Sequence, residues 1–329
     1  MAFQISPGVE VKEKDLTTIV PAVSTTIAGF AGHFMWGPVE QRVTIDSENN
    51  LKSLYGEPTD ANYEDWFTAA NYLGYGNNLQ VVRVTDDGTT GQNAGISGSS
   101  GSFVKNSDHY FQGIAGTGDT WIARYPGTRG NSLKVVWHDG GASTGVSLDN
   151  YKDWTYQANF ATNMPYTSQW FEDLTGSTLG YDGVNVAVID EDGEFTGTKG
   201  TVLETFNGLS KASNSKKYNG ESNYYVNVIN DSSKYIWWGE HGATGTGANK
   251  VTVGSVAWGD AVTISGGTFG TLHGGTTSND GYGASLVDGA GETSGTITTG
   301  SSAGYGLFSD PETVDMSLIL AGQAGNTLA

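Results

Sequence analysis

The sequence predicts an α+β, multidomain chain with an extended N-terminal arm, a partial α/β core domain and outer β-rich domains. Three observations lead there. Residues 1–22 carry a period-two pattern with nothing of their own to pair with. Residues 25–85 alternate strand-like and helix-like segments. The remainder is dominated by Gly, Ser, Thr and Asn, with short apolar runs between them. At 329 residues the chain is long for a single core. Charged residues make up only 16%, and Gly fills 49 positions against 7 for Pro, so small polar residues must wet the surface, as in turn-rich β domains.

The arm comes first. Val9 and Val11 alternate with Glu10 and Lys12, which suits a strand with one buried face, and Pro7 and Pro21 bracket it. Such a segment is either an ordinary edge strand or frayed terminus, or a strand that adds to a neighbouring molecule. Ile27 to Phe34 then reads as a strand covered on both faces. The turn Gly37-Pro38 leads to a second strand over Val39 to Ile45. Asp46 or Ser47 caps a short helix through Leu51 and Leu54, which Gly56 and Pro58 stop. A second helix starts near Asp60, with Tyr63, Phe67 and Ala70, and Trp66 and Leu73 beside them, marking a buried face. Leu79 to Val84 returns as a strand and completes a right-handed crossover.

Beyond this unit the signals thin. Asp86 to Thr120 reads as a loop-heavy β insertion or a flexible excursion. Strands resume at Trp121 to Gly127 and Leu133 to Trp137. Val184 to Ile189 turns at Asp190-Glu191-Asp192-Gly193 and leaves through Phe195 as a hairpin, followed by a short helix around Val202 to Leu209. Tyr224 to Ile229 and Tyr235 to Trp238 read as a second hairpin around Asn230 to Ser233. Strand-like pieces recur at Lys250 to Val253 and Ala261 to Ile264. Tyr305 to Phe308 and an apolar strand over Val314 to Ala321 restore α/β character, and a buried strand so near Ala329 predicts that the natural chain continues. The expected domains are therefore 1–22 (arm), 23–86 with 305–329 (core), 87–120 (Gly/Ser-rich outer insertion) and 121–304 (outer β-rich protrusion).

Charge and composition exclude several classes. A net charge of −19 argues against a nucleic-acid partner, because phosphate binding needs clustered Lys and Arg. It serves solubility, or repulsion that delays association of a concentrated subunit. Without Cys, disulfides and Cys-ligated zinc are excluded. There is no signal-peptide pattern and no apolar run long enough to span a bilayer.

No motif assembles a catalytic or metal centre. His33, His109, His138, His241 and His273 lack partners at metal-site spacing. Gly141 to Gly145 and Gly300 to Gly304 match Gly-x-Ser-x-Gly without the strand and helix that expose a nucleophile, and read as turns. Asp190-Glu191-Asp192-Gly193 lacks the full ligand spacing of a calcium loop and reads as hairpin-turn chemistry. Trp154, Tyr156, Trp170, Trp237 and Trp238 are either core or a platform for sugars or bases. No catalytic, metal or cofactor-binding residue is therefore expected.

Several segments, in order, resemble the tail sheath proteins of contractile-tailed phages. Pro7-Gly8-Val9-Glu10-Val11 resembles that family's amino-terminal arm, Trp36-Gly37-Pro38 the turn after its first core strand, and Leu54-Tyr55-Gly56-Glu57-Pro58 its helix-to-turn step. Gly76 to Val84 resembles the strand leaving the core, and Tyr125 to Leu133 the entry to the first outer domain. Tyr224 to Tyr235 and Asp310 to Ala321 resemble the later hairpin and the return to the core. The resemblance implies a structural subunit, not an enzyme, that stacks into a helical sleeve around an inner tail tube and contracts to drive it through the host envelope. It implies copies of itself, the tube, and baseplate and tail terminator proteins as partners, without membrane insertion, in the virion after assembly in the host cytoplasm. Its arm would use Pro7, Gly8, Val9, Val11, Leu16, Ile19 and Pro21 to join neighbouring copies. Members carry a large carboxy-terminal part, so the resemblance implies a truncated form. The alternative is a carbohydrate-binding or adhesin-like β-rich module.

Overall fold

The structure is a computed structural model describing residues 27–85, 92–96, 103–113, 120–139, 151–160, 167–239, 261–264, 282–292, 304–310, 312 and 314–322. Two sheets organise these residues. The smaller one contains β1 (Ala28–His33), β2 (Arg42–Ile45), β3 (Leu79–Val84) and β11 (Leu318–Leu320) in the order β11-β1-β3-β2. β1 pairs in parallel with β3 from Ala28↔Leu79 to His33↔Val84, and β11 pairs in parallel with the other side of β1. β2 runs antiparallel to β3.

The central strands are apolar because both of their faces are covered. Phe30 and Val81 point to one face, where α1 (Glu48–Tyr55) and α2 (Tyr63–Leu73) supply Leu51, Tyr55, Trp66 and Ala69. Ala31, Val82 and Val84 point to the other, against Tyr305, Phe308 and Val314. Local chemistry fixes α1 as the sequence predicts. The Ser47 side chain accepts from the Asn50 amide at its start, and Gly56, at φ 89°, ends it.

The α2 face differs from expectation. Asp65, Trp66 and Ala69 are buried, whereas Tyr63 and Phe67 are about half exposed. Trp66 sets the rotation, since its indole NH donates to the Gly56 carbonyl at 2.9 Å, and that bond turns Tyr63 and Phe67 outward. The second strand is shorter than expected, with Val39 pairing only singly with Arg83 ahead of β2.

The larger sheet has seven strands in the order β8-β7-β6-β10-β4-β5-β9. They are β4 (Asn93–Ile96), β5 (Trp121–Pro126), β6 (Leu133–Asp139), β7 (Gly183–Asp190), β8 (Thr201–Ser210), β9 (Ile236–Trp238) and β10 (Tyr282–Val287). The segment 86–120 thus contributes a strand to this sheet. Its remaining described helices are α3 (Ser107–Phe111), α4 (Gln169–Thr175) and α5 (Tyr225–Ser232).

Three expectations are corrected here. Val202 to Leu209 is strand β8, not a helix, because it pairs with β7 along most of its length. Tyr224 to Ile229 belongs to helix α5, so the predicted second hairpin is a helix followed by β9. Its buried residues Tyr225, Val226 and Ile229 recur at helical spacing and pack into the core of the larger sheet. Tyr305 to Phe308 forms a 3-10 turn, and the last strand is only three residues long with Leu318 and Ile319 exposed, so among the described residues it is an edge and not a buried strand. Lys250 to Val253 lies outside the described residues, and Ala261 to Ile264 forms no strand.

Candidate assembly surfaces and the junction between the sheets

The junction is built around one charge. Arg83 sits in β3, among Val81, Val82 and Val84, and is fully buried. Its Nε donates to the Phe34 carbonyl at 2.7 Å and Nη1 to the Gly37 carbonyl at 2.8 Å, holding the turn that leaves β1. Nη2 donates to the Pro126 carbonyl at 2.7 Å, at the end of β5 in the other sheet. Burial pushes the guanidinium down to about 9, while the Glu292 carboxylate acts in the opposite direction, so the group stays cationic at neutral pH. Glu292 is itself fixed, accepting from the Thr128 amide and hydroxyl at 3.0 and 2.6 Å.

Aromatic packing reinforces the pin. Trp36, in the turn after β1, leaves the small sheet and enters the core of the large one. Its ring meets Tyr125 and Phe195 edge-on at 5.3 and 5.1 Å. Arg129 lies over Phe195 and donates to the Glu194 carbonyl, and Gly56 leaves it room: a Cβ there would stand 2.0 Å from Nη1. Lys105 pairs with Glu40 at 2.7 Å across the same junction.

The loop between β7 and β8 is organised by Asp190. Its carboxylate accepts from the Ser132 hydroxyl, the Thr196 hydroxyl and the amides of Gly193, Phe195 and Thr196. Burial works to raise this carboxyl, but the donors outweigh it and hold it below the usual carboxylate range. A carboxylate filled with donors serves as a turn anchor, as the hairpin-turn reading expects.

The small sheet leaves both of its edges open among the described residues. β2 shows Arg42 and Thr44 to solvent, and β11 shows Leu318 and Ile319 at 43% and 55% exposure. Unpaired backbone along such edges is the usual template for adding a strand from another chain. No helix among the described residues is long and apolar enough to cross a membrane.

Comparison with known proteins follows the same lines. Over 90 residues the chain is 40% identical to the tail sheath protein of Vibrio phage KVP40, covering 27% of this chain and 13% of that protein. The tail sheath protein of Enterobacteria phage T4 is 38% identical over 95 residues, 29% of this chain and 14% of the relative. The chain is similar to phage tail sheath proteins. With the tail sheath protein of Salmonella phage ViI the identity is 28% over 203 residues, 61% of this chain and 28% of that protein. The matches thus span between 13% and 28% of the tail sheath relatives' lengths. No protein-family model matches the chain.

The arm residues Pro7, Gly8, Val9, Val11, Leu16, Ile19 and Pro21 lie outside the described residues, as do Gly141 to Gly145, His241 and His273. The other histidines are dispersed. The His33 ring lies 3.1 Å from the Asp65 carboxylate, His109 is in α3, and His138 packs against Tyr151 and Trp154. Among the described residues no group of His, Asp and Glu could hold a metal ion. Trp154 and Trp237 are core: Trp237 is fully buried, stacked on Tyr110 at 4.2 Å with Arg124 over its ring at 3.6 Å. Sequence reading missed Arg83, whose signal was present: a single charged residue inside a strand whose other members are Leu79, Gln80 and three Val. Glu292 had no such signal, because its partners stand far away in the chain.

Proposed function

We propose that the chain is a structural subunit of a contractile phage tail sheath, without enzymatic activity. Copies polymerise around an inner tail tube between baseplate and tail terminator proteins, assembling in the host cytoplasm. Contraction then drives the tube through the host envelope, powered by the difference between two subunit packings. The observation that carries this reading is the 40% identity over 90 residues to a tail sheath protein. The open edges of the small sheet support it, since they offer sites for strand addition. On this reading Val9 and Val11 face the neighbour's sheet, Leu16 and Ile19 continue the contact, and Pro7, Gly8 and Pro21 set where the arm bends. The core (23–86 with 305–329) would lie inward, with 87–120 and 121–304 outward.

Negative-stain microscopy tests the reading. The chain incubated with purified tail tubes is expected to form striated coats on them, and a variant lacking residues 1–22 is expected to lose them. Bare tubes with both proteins, together with a change in Trp fluorescence on titration with sugars, would favour the carbohydrate-binding alternative instead.

A further inference from the structure

We propose that Asn219 is a self-modification site, where the side-chain amide closes on the Gly220 backbone nitrogen and is converted to a carboxylate in the folded chain. Nothing in this chemistry depends on the sheath reading. The sequence holds two Asn-Gly steps, Asn207-Gly208 and Asn219-Gly220, and the fold treats them oppositely.

Asn219 lies at the tip of the loop between β8 and α5, where residues 216–221 are all exposed. The loop turns back on itself, with the Lys217 amide donating to the Glu221 carbonyl at 2.9 Å. Gly220 takes φ 86°, and a Cβ built on it would meet nothing within 4 Å, so the atoms that must move have open space. The Glu221 amide donates to Asn219 Oδ1 at 3.1 Å. That donor polarises the side-chain carbonyl and stabilises the oxyanion that forms when its carbon is attacked. The Gly220 amide donates within the turn, to the Lys217 carbonyl at 2.9 Å, and local opening at the surface releases it.

Asn207 meets the opposite conditions. It sits in β8, and the Gly208 amide donates to Oδ1 of the fully buried Asn185 at 2.8 Å. The Gly208 carbonyl accepts from the Asn223 side chain at 3.0 Å, so the step is held through both of its polar groups. Freeing its nitrogen requires opening the pairing of β7 with β8.

The reaction balances with water alone. The Gly220 nitrogen bonds to Asn219 Cγ, the Cγ–Nδ2 bond breaks, and ammonia leaves with the proton that the nitrogen gives up. Water then opens the cyclic imide. Attack at Cγ gives aspartate, and attack at the main-chain carbonyl gives a β-linked aspartate. Either product adds a carboxylate beside the exposed Lys216 and Lys217.

Peptide mapping by mass spectrometry tests the site, on the intact chain aged in buffer made with heavy-oxygen water. Asn219 is expected to convert about tenfold or more faster than Asn207, with heavy oxygen incorporated and both linkages present. In guanidinium chloride, where both steps are released, the two rates should converge. Asn219→Gln, whose longer side chain closes poorly, should abolish conversion at the tip. Equal rates in the folded chain overturn the inference. So does slower conversion of Asn219 in the folded chain than in denaturant, since the turn then protects the step. A difference that persists undiminished in denaturant also overturns it, because the fold is then not its source.

Discussion

The two sheets treat their edges differently. In the large sheet the edge strands are finished. β8 is long and carries two register shifts against β7, which twist an edge away from partners, and β9 is covered through Tyr110 stacked on Trp237. In the small sheet the edge strands are short, regular and half bare, although the strands between them are buried on both faces. A sheet with a finished interior and unfinished edges is suited to receive strands from outside. Among the described residues the contrast leaves the open edges on the small sheet.

The large sheet is fixed to the small one at their junction, and Arg83 is the attachment with the largest expected effect. Arg83→Met removes a guanidinium that three buried carbonyls share and leaves Glu292 without its cation, costing on the order of 3–5 kcal/mol. Calorimetry should show a single transition in the unaltered chain and, in the variant, separate melting of the two sheets. One transition shifted by less than about 1 kcal/mol would mean that aromatic packing at Trp36 suffices. Arg83→Lys keeps the charge but loses the three-way fork, and should fall between the two.

Within the small sheet, α2 offers a comparison of neighbours. Trp66→Ala empties a buried site and breaks the bond to the Gly56 carbonyl, costing about 3–5 kcal/mol by chemical denaturation. Phe67→Ala removes a half-exposed ring and should cost less than about 1 kcal/mol. Equal costs would return the helix to the face that the sequence predicts.

The large sheet depends on pH through Asp190. Its carboxyl is held below its unfolded value, so the stability it contributes is complete above the ordinary carboxylate range near 4 and is lost as pH falls through the lower, folded value. The melting temperature of the unaltered chain should therefore fall on acidification below about pH 4. Asp190→Asn should start lower at pH 7 and fall less over that window. Parallel curves would assign the acid sensitivity to other carboxylates.

Legibility in the sequence followed the range of the contacts. Ser47, Gly56 and the apolar run of β3 act within a few residues of themselves, and those elements were found where the sequence places them. β8 was misread because Val202 to Leu209 becomes a strand only through its pairing with β7. The 225–232 helix was misread because its apolar residues satisfy both a strand and a helix period, and the large-sheet core decides between them. β10 stands more than a hundred residues from its partner β6 and was invisible for that reason. The site divides likewise. Aromatic residues at the junction could be named from sequence, but that Tyr125, Phe195 and Tyr235 share one wall is a property of the assembled sheets.

The smallest expected effect separates the two kinds of edge most directly. Trp237→Ala in β9 removes a fully buried indole whose NH donates to the Arg124 carbonyl at 2.8 Å, and should cost about 3–5 kcal/mol. Ile319→Lys in β11 alters an edge position 55% open to solvent, and should shift stability by no more than about 0.5 kcal/mol. A lysine on an exposed edge also discourages pairing with another chain. The same substitution should therefore reduce self-association in sedimentation while leaving the unfolding curve almost unmoved. If Ile319→Lys instead unfolds the small sheet, β11 is a structural strand, and on the sheath reading the edge open to a neighbour would be β2.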